Sequence, residues 1–230
     1  MQNLIKLGIS IGDPNGIGPE IILKALSEED GLNGIIPIIY SELDIIQFYL
    51  SHLGIKLDIN IIDDPLKAQY GHLNIFQLSN SNFKIDFGKP KKESGQVAFQ
   101  SLSKASEHAV KNLIDGIVTA PIDKNTIQGD NFDFNGHTEY LTSITNNIQS
   151  LMLMAHDKLK VGIVTNHLSI DQVSKAITVG AILNKISLMD QSLKRDFQLK
   201  NPKIGLLGLN PHSGDGGLIG QQEVKIIQPA

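Results

Sequence analysis

The stretch Leu7-Gly8-Ile9-Ser10-Ile11-Gly12-Asp13-Pro14-Asn15-Gly16-Ile17-Gly18-Pro19-Glu20-Ile21-Ile22 decides the fold class. Leu7 to Ile11 is a near-continuous apolar run, and Pro19-Glu20 opens a segment of helical period that includes Lys24, Ala25 and Leu26. Proline suits the first helical turn because its φ is already set and its missing N–H would have had no partner there. A strand, a polar turn and a helix in that order are the unit from which parallel sheets are assembled.

The same order recurs along the chain. Ile35 to Ile39, Ile59 to Ile62, Gly116 to Val118, Val161 to Val164 and Ile204 to Leu207 are further candidate strands. They do not alternate, as expected of strands covered on both faces. A helix is expected after Ser94, with Phe99, Leu102, Ala105 and Ala109 on one face. Ser169 to Gln172 has capping-box spacing, and Thr178 opens a helix with Val179, Ile182, Leu183, Ile186, Met189 and Leu193 facing inward. The polar stretch Gln77 to Glu93 reads as an excursion or irregular hairpin. The fold class is therefore α/β with doubly wound sheets. Gly129 to Gly136 marks a loop boundary, which divides the chain into a first domain, 1–128, and a second, 129–230.

Composition narrows the function. The 230 residues carry 20 basic and 24 acidic side chains, for a net charge of −4, and 41% are hydrophobic. The basic residues are scattered, so nucleic acid is not the expected partner, and the apolar content excludes intrinsic disorder. The chain has no cysteine, so a metal must use His, Asp or Glu. The start is neither a signal peptide nor a membrane span, and the expected location is cytoplasmic.

Four apolar runs end in polar clusters: Gly12 to Glu20, Thr119 to Lys124, Thr165-Asn166-His167, and Asn210 to Gly217. Ligands gather at the carboxyl ends of strands in open α/β sheets, so the four clusters are expected to share one edge. His167 and His212 follow predicted strands, and as a pair they could hold a divalent ion or each be an ordinary hydrogen-bonded histidine. His137 sits at a predicted helix start, either as part of an anion site with Thr138 or as a simple cap. Gly214 to Gly217 is an anion nest or a tight turn. Gly12 to Glu20 matches a dinucleotide loop poorly, since no third glycine follows Gly16 and Gly18 at the required spacing, and a fixed turn explains it equally well. No P-loop and no Gly-x-Ser-x-Gly elbow is present. His52, His72, His108 and His156 receive no role.

Taken together, Gly12 to Glu20, Thr119-Ala120-Pro121-Ile122-Asp123-Lys124, Gly136-His137-Thr138-Glu139-Tyr140-Leu141, Thr165-Asn166-His167 and Gly208 to Gly217 resemble the 4-hydroxythreonine-4-phosphate dehydrogenases of pyridoxal 5'-phosphate (vitamin B6) biosynthesis. The resemblance implies two α/β domains similar to those of isocitrate and isopropylmalate dehydrogenases. It also implies an active site in the interdomain cleft and a homodimer in which the partner completes that site. The reaction implied is NAD-dependent (or NADP-dependent) oxidation, with decarboxylation, of 4-phosphooxy-L-threonine. His137 and Thr138 would bind this small phosphorylated hydroxy amino acid, and His167 and His212 would bind a divalent metal: zinc, magnesium or cobalt. Relatives of the family act on phosphorylated threonate-type acids or cyclic dihydrodiols, and a non-catalytic metabolite-binding chain is a further alternative. Family members are usually longer, with a third metal histidine in a Tyr-His-Asp-Gln-Gly stretch and a substrate-binding lysine, asparagine and arginine. The resemblance therefore implies that the remaining catalytic groups lie beyond Ala230 and that the second domain is incomplete at its C-terminal end. Asp123 and Ser169 stand where asparagine and proline are common.

Overall fold

A computed structural model describes residues 4–79, 82–145 and 149–230, and the chain divides into two compact units, 1–147 and 148–230. The first unit holds β1 (Ile5–Ser10), α1 (Gly18–Ser27), β2 (Ile35–Ser41), α2 (Leu43–Leu53), β3 (Ile59–Ile62), β4 (Leu73–Gln77), α3 (Lys92–Val110), β5 (Gly116–Thr119), α4 (Lys124–Ile127) and α5 (His137–Ile144). The strands pair in the order β3-β4-β2-β1-β5, and every pairing is parallel.

Both faces of this sheet are covered. Ile9, Ile39 and Ile75 pack with Ile22, Leu23 and Leu26 of α1 and with Ile45, Ile46 and Tyr49 of α2. The alternate residues Ile38, Tyr40 and Phe76 cluster with Ala105 of α3. Burial on both sides explains why these strands read as apolar runs. The chain winds outward from β1 through β2, and α3 carries it back to place β5 on the other flank of β1. The carboxyl ends of β1 and β5 thus meet where the strand order reverses, the usual ligand crevice of an open α/β sheet.

Three findings differ from the sequence reading. Residues expected to open the second domain pack on the first unit, where Phe132 and Tyr140 join Ala98, Leu102 and Ile127. In the second unit, β6 (Leu153–Ala155) and β7 (Lys160–Gly162) form an antiparallel pair, so the parallel pattern belongs to the first unit among the described residues. Ile204 to Leu207 is not a strand there, because no neighbouring strand supplies a hydrogen-bond ladder, and Leu207 is 87% exposed. The second unit also holds α6 (Ile170–Ala176) and α7 (Val179–Arg195). Thr178 caps α7 by accepting from the Ala181 amide at 3.1 Å, and Ile182 and Leu193 are its buried residues while Leu183 is exposed. No helix among the described residues is long and apolar enough to cross a membrane.

The excursion after β4 is tied down by one side chain. Asn15, 2% exposed, donates from Nδ2 to the Lys89 carbonyl at 2.8 Å and accepts at Oδ1 from the Asp86 amide at 2.8 Å. Its own carbonyl accepts from the Gly88 amide at 2.8 Å. Replacing Asn15 with alanine removes the two side-chain hydrogen bonds that hold the exposed residues Asp86 and Lys89 to it, each worth about 0.5–1.5 kcal/mol net. The expected result is a loss of about 1–3 kcal/mol in urea unfolding, with early proteolytic cleavage between residues 82 and 91.

Candidate functional site

The two polar clusters of the first unit meet as expected, and they meet through backbone. Gly12 has φ +67°, and a Cβ there would lie 2.1 Å from the Pro121 carbonyl oxygen. The next amide, Asp13 N, donates to that same oxygen at 2.9 Å. Tyr49 donates its hydroxyl to the carbonyls of Pro14 and Gly16 at 2.8 and 3.1 Å. Asp13 Oδ1 accepts from the Asn15 amide at 2.9 Å. The motif forms a fixed turn whose polar groups hold one another and seat the segment after β5.

That segment carries the substrate-site candidates. Asp123 caps α4, its Oδ1 accepting from the Asn125 and Thr126 amides at 3.0 and 2.8 Å. Lys124 follows, and its Cε comes within 3.9 Å of the point where a Cβ on Gly136 would sit. Gly136 directly precedes His137 and Thr138, the first residues of α5. Both side chains are half-buried. His137 Nε2 is buried and has no hydrogen-bond partner among the described residues. Burial, and then the positive charge of Lys124, hold the His137 ring below the usual histidine range. A neutral imidazole offers one N–H donor and one acceptor, so Nε2 is left available to a ligand. Lys124 belonged to a quoted motif but received no role from sequence; its proximity to Gly136 arises from tertiary packing.

In the second unit, His167 and His212 are exposed. Both have left-handed backbone, with φ +56° and +52°. Val164 and Leu206 to Leu209 line one small cavity, about 110 Å³, with Ile177, Ile182 and Ile227. The two apolar segments are therefore neighbours, with His167 three residues after Val164 and His212 three residues after Leu209. Among the described residues no group of three or more His, Asp or Glu is assembled. Two imidazoles fit a divalent ion as part of its ligand set, since neutral nitrogen donors suit such metals.

The turn carrying His212 is unusual. Its backbone is left-handed at His212, Ser213, Gly214, Asp215 and Gly216, and Gly217 also has positive φ, +101°. Left-handed geometry costs roughly 1–2 kcal/mol for each residue bearing a Cβ, and such strain persists only where surrounding contacts enforce it. The restraint is Glu223, a buried side chain in the short π-helical turn Glu223–Ile227. Its Oε1 accepts from the amides of Leu209 and Asn210 at 2.8 and 2.6 Å, and its Oε2 accepts from Asn210 Nδ2 at 2.8 Å. The Asn210 amide first, and then its side chain, draw the Glu223 carboxyl down to about 2. No sequence signal pointed to this residue.

Because the folded-state value lies below the ordinary glutamate value of about 4.3, the carboxylate holds the turn fully above that pH. The hold is lost as pH falls towards about 2. Amide exchange at Leu209 and Asn210 should therefore accelerate between roughly pH 4.3 and pH 2, relative to the intrinsic rate.

The remaining histidines with resolved contacts are structural. Tyr40 and His108 Nδ1 hydrogen-bond at 2.9 Å in the core, His52 stacks on Phe48, and His72 Nδ1 contacts the Tyr70 carbonyl at 3.1 Å.

Comparison with known proteins bears on all of these elements. A family model described as pyridoxal phosphate biosynthetic protein PdxA matches residues 34–230. The chain is 38% identical over 230 residues to a 4-hydroxythreonine-4-phosphate dehydrogenase of Bacteroides thetaiotaomicron, covering 100% of this chain and 63% of that protein. It is 32% identical over 227 residues to a Clostridium botulinum protein provisionally named a D-threonate 4-phosphate dehydrogenase, covering 97% of this chain and 68% of that one. The crystal structure of a 4-hydroxythreonine-4-phosphate dehydrogenase from Klebsiella pneumoniae superposes with a TM-score of 0.87 at 28% identity, over 100% of this chain and 69% of that chain.

Proposed function

Because the chain belongs to the family of the pyridoxal phosphate biosynthetic protein PdxA, we propose that it is a 4-hydroxythreonine-4-phosphate dehydrogenase. In this reading it is a cytoplasmic oxidoreductase of vitamin B6 biosynthesis that oxidises and decarboxylates 4-phosphooxy-L-threonine. It works as a homodimer whose partner subunit completes the active site. The observation that carries the reading is His137 Nε2, a buried ring nitrogen without a hydrogen-bond partner among the described residues, in a motif common to this chain and the family it resembles.

His137 and Thr138 bind and orient the substrate. The neutral His137 ring accepts or donates at Nε2 according to its tautomer, and the adjacent Lys124 charge favours an anionic ligand at this corner of the fold. His167 and His212 would hold the divalent metal, which would supply Lewis acidity of the kind that lowers the pKa of water from 15.7 to about 7, and NAD would supply the hydride acceptor. The substrate's secondary alcohol loses its proton and a hydride, and the resulting β-keto acid releases carbon dioxide.

The same residues serve a phosphorylated threonate-type acid, a second reading favoured by the 32% identity to the Clostridium botulinum protein. NADH formation from each substrate, measured alongside calorimetric binding with zinc, magnesium or cobalt present, tests the proposal. Turnover of 4-phosphooxy-L-threonine in preference to the threonate phosphate is expected. Preference for the latter supports the second reading, binding without NADH would identify a non-catalytic metabolite-binding chain, and neither binding nor turnover would overturn the assignment.

A further inference from the structure

We propose that Glu223 is a positioning residue for His212, acting through the backbone of the turn that carries it. The proposal rests on the reading of His212 as a metal ligand.

Three observations converge on it. The turn from His212 to Gly216 is left-handed throughout, including three residues that bear a Cβ: His212, Ser213 and Asp215. A free peptide of this composition would relax to right-handed or extended backbone, so something must hold it. The carboxylate of Glu223 grips the entry to the turn at three points, through the amides of Leu209 and Asn210 and the side chain of Asn210. The turn also fits closely against Glu223, since a Cβ on Gly214 would lie 2.7 Å from Glu223 Oε2.

An ionised carboxylate suits this task because it accepts at every lone pair and has no hydrogen to set against the converging N–H groups. Glutamine has the same shape but must point an NH2 group at one set of those donors. Asn210 Nδ2 also donates to Gln222 Oε1 at 2.9 Å, so flipping the Asn210 amide to satisfy a glutamine would break a second bond. The charge, more than the bulk, is therefore what the turn needs. Groups that merely orient a metal ligand are worth about 10- to 100-fold in metal affinity.

The test is competition of the intact protein with a chromophoric chelator for zinc, comparing the natural protein with Glu223→Gln, Glu223→Ala and His212→Ala. Expected is a comparable loss of affinity, about 10- to 100-fold, in Glu223→Gln and Glu223→Ala, with an altered visible spectrum of the cobalt-loaded form. Weakened binding in His212→Ala with unchanged affinity and spectrum in both Glu223 variants would overturn this proposal alone. Unchanged affinity in His212→Ala would instead overturn the metal reading, and this proposal with it. Amide exchange on the natural protein supplies a second readout that needs no variant. Leu209 and Asn210 should be protected at neutral pH, and exchange at the open-chain rate would contradict the clasp even if a variant failed to fold.

Discussion

Replacing His212 with alanine should abolish metal-dependent turnover while leaving the fold intact. The side chain is exposed, so its removal opens no cavity. Its left-handed backbone is one that histidine adopts somewhat more readily than alanine, so the stability change should stay within about 1 kcal/mol. The functional change should be far larger. Losing an orienting group costs about 10- to 100-fold in metal affinity, so losing a ligand should cost at least about 100-fold. Zinc affinity by chelator competition and NADH formation by absorbance measure the two consequences, and circular dichroism confirms the fold. His72→Ala, which removes only a local contact to the Tyr70 carbonyl, should change none of them. Undiminished metal-dependent turnover in His212→Ala would remove this residue from the mechanism.

The largest expected effect on stability lies at Gly12. Alanine there must adopt φ +67° and place its Cβ 2.1 Å from the Pro121 carbonyl oxygen and 2.9 Å from the Ala120 carbonyl carbon. The backbone cost is roughly 1–2 kcal/mol, and forced repacking adds typically 1–3 kcal/mol. The shift cannot be confined to the loop, because Asp13 N is bonded to the same carbonyl and the segment beyond Pro121 leads into α4. A loss of about 3–4 kcal/mol should lower the melting temperature by roughly 10 °C. Gly34 isolates the two contributions, since it has φ +76° but no atom within 4 Å of an added Cβ. Gly34→Ala should cost only the backbone part, about 1 kcal/mol. Equal costs at both positions would show that the contact with Pro121 contributes nothing.

Much of the first unit was legible because its strands are buried on both faces and so leave unbroken apolar runs; Ile59 to Ile62 coincides with β3. β4 was not legible because Asn74 interrupts its apolar run. That asparagine is fully buried and satisfied by distant groups: its Nδ2 donates to the Pro37 carbonyl at 3.0 Å, and its Oδ1 accepts from Asn60 Nδ2 at 2.9 Å. A polar residue in a core strand is affordable when tertiary neighbours supply its bonds, and local pattern cannot show them. Ile204 to Leu207 failed in the opposite sense, since an apolar run becomes a strand only beside another strand.

At the site, the motif residues were visible as types. The half-buried setting of His137 and the proximity of the runs before His167 and His212 needed coordinates. So did Glu223, because its partners Leu209 and Asn210 are reached by a turn of left-handed backbone that no residue pattern specifies.

The metal assignment to His167 and His212 is tested most directly by X-ray absorption of the zinc-loaded protein. The account predicts imidazole scattering in the zinc shell that falls by one ring when His167 or His212 is replaced. A shell of oxygen donors alone, or an imidazole signal indifferent to both replacements, would contradict it.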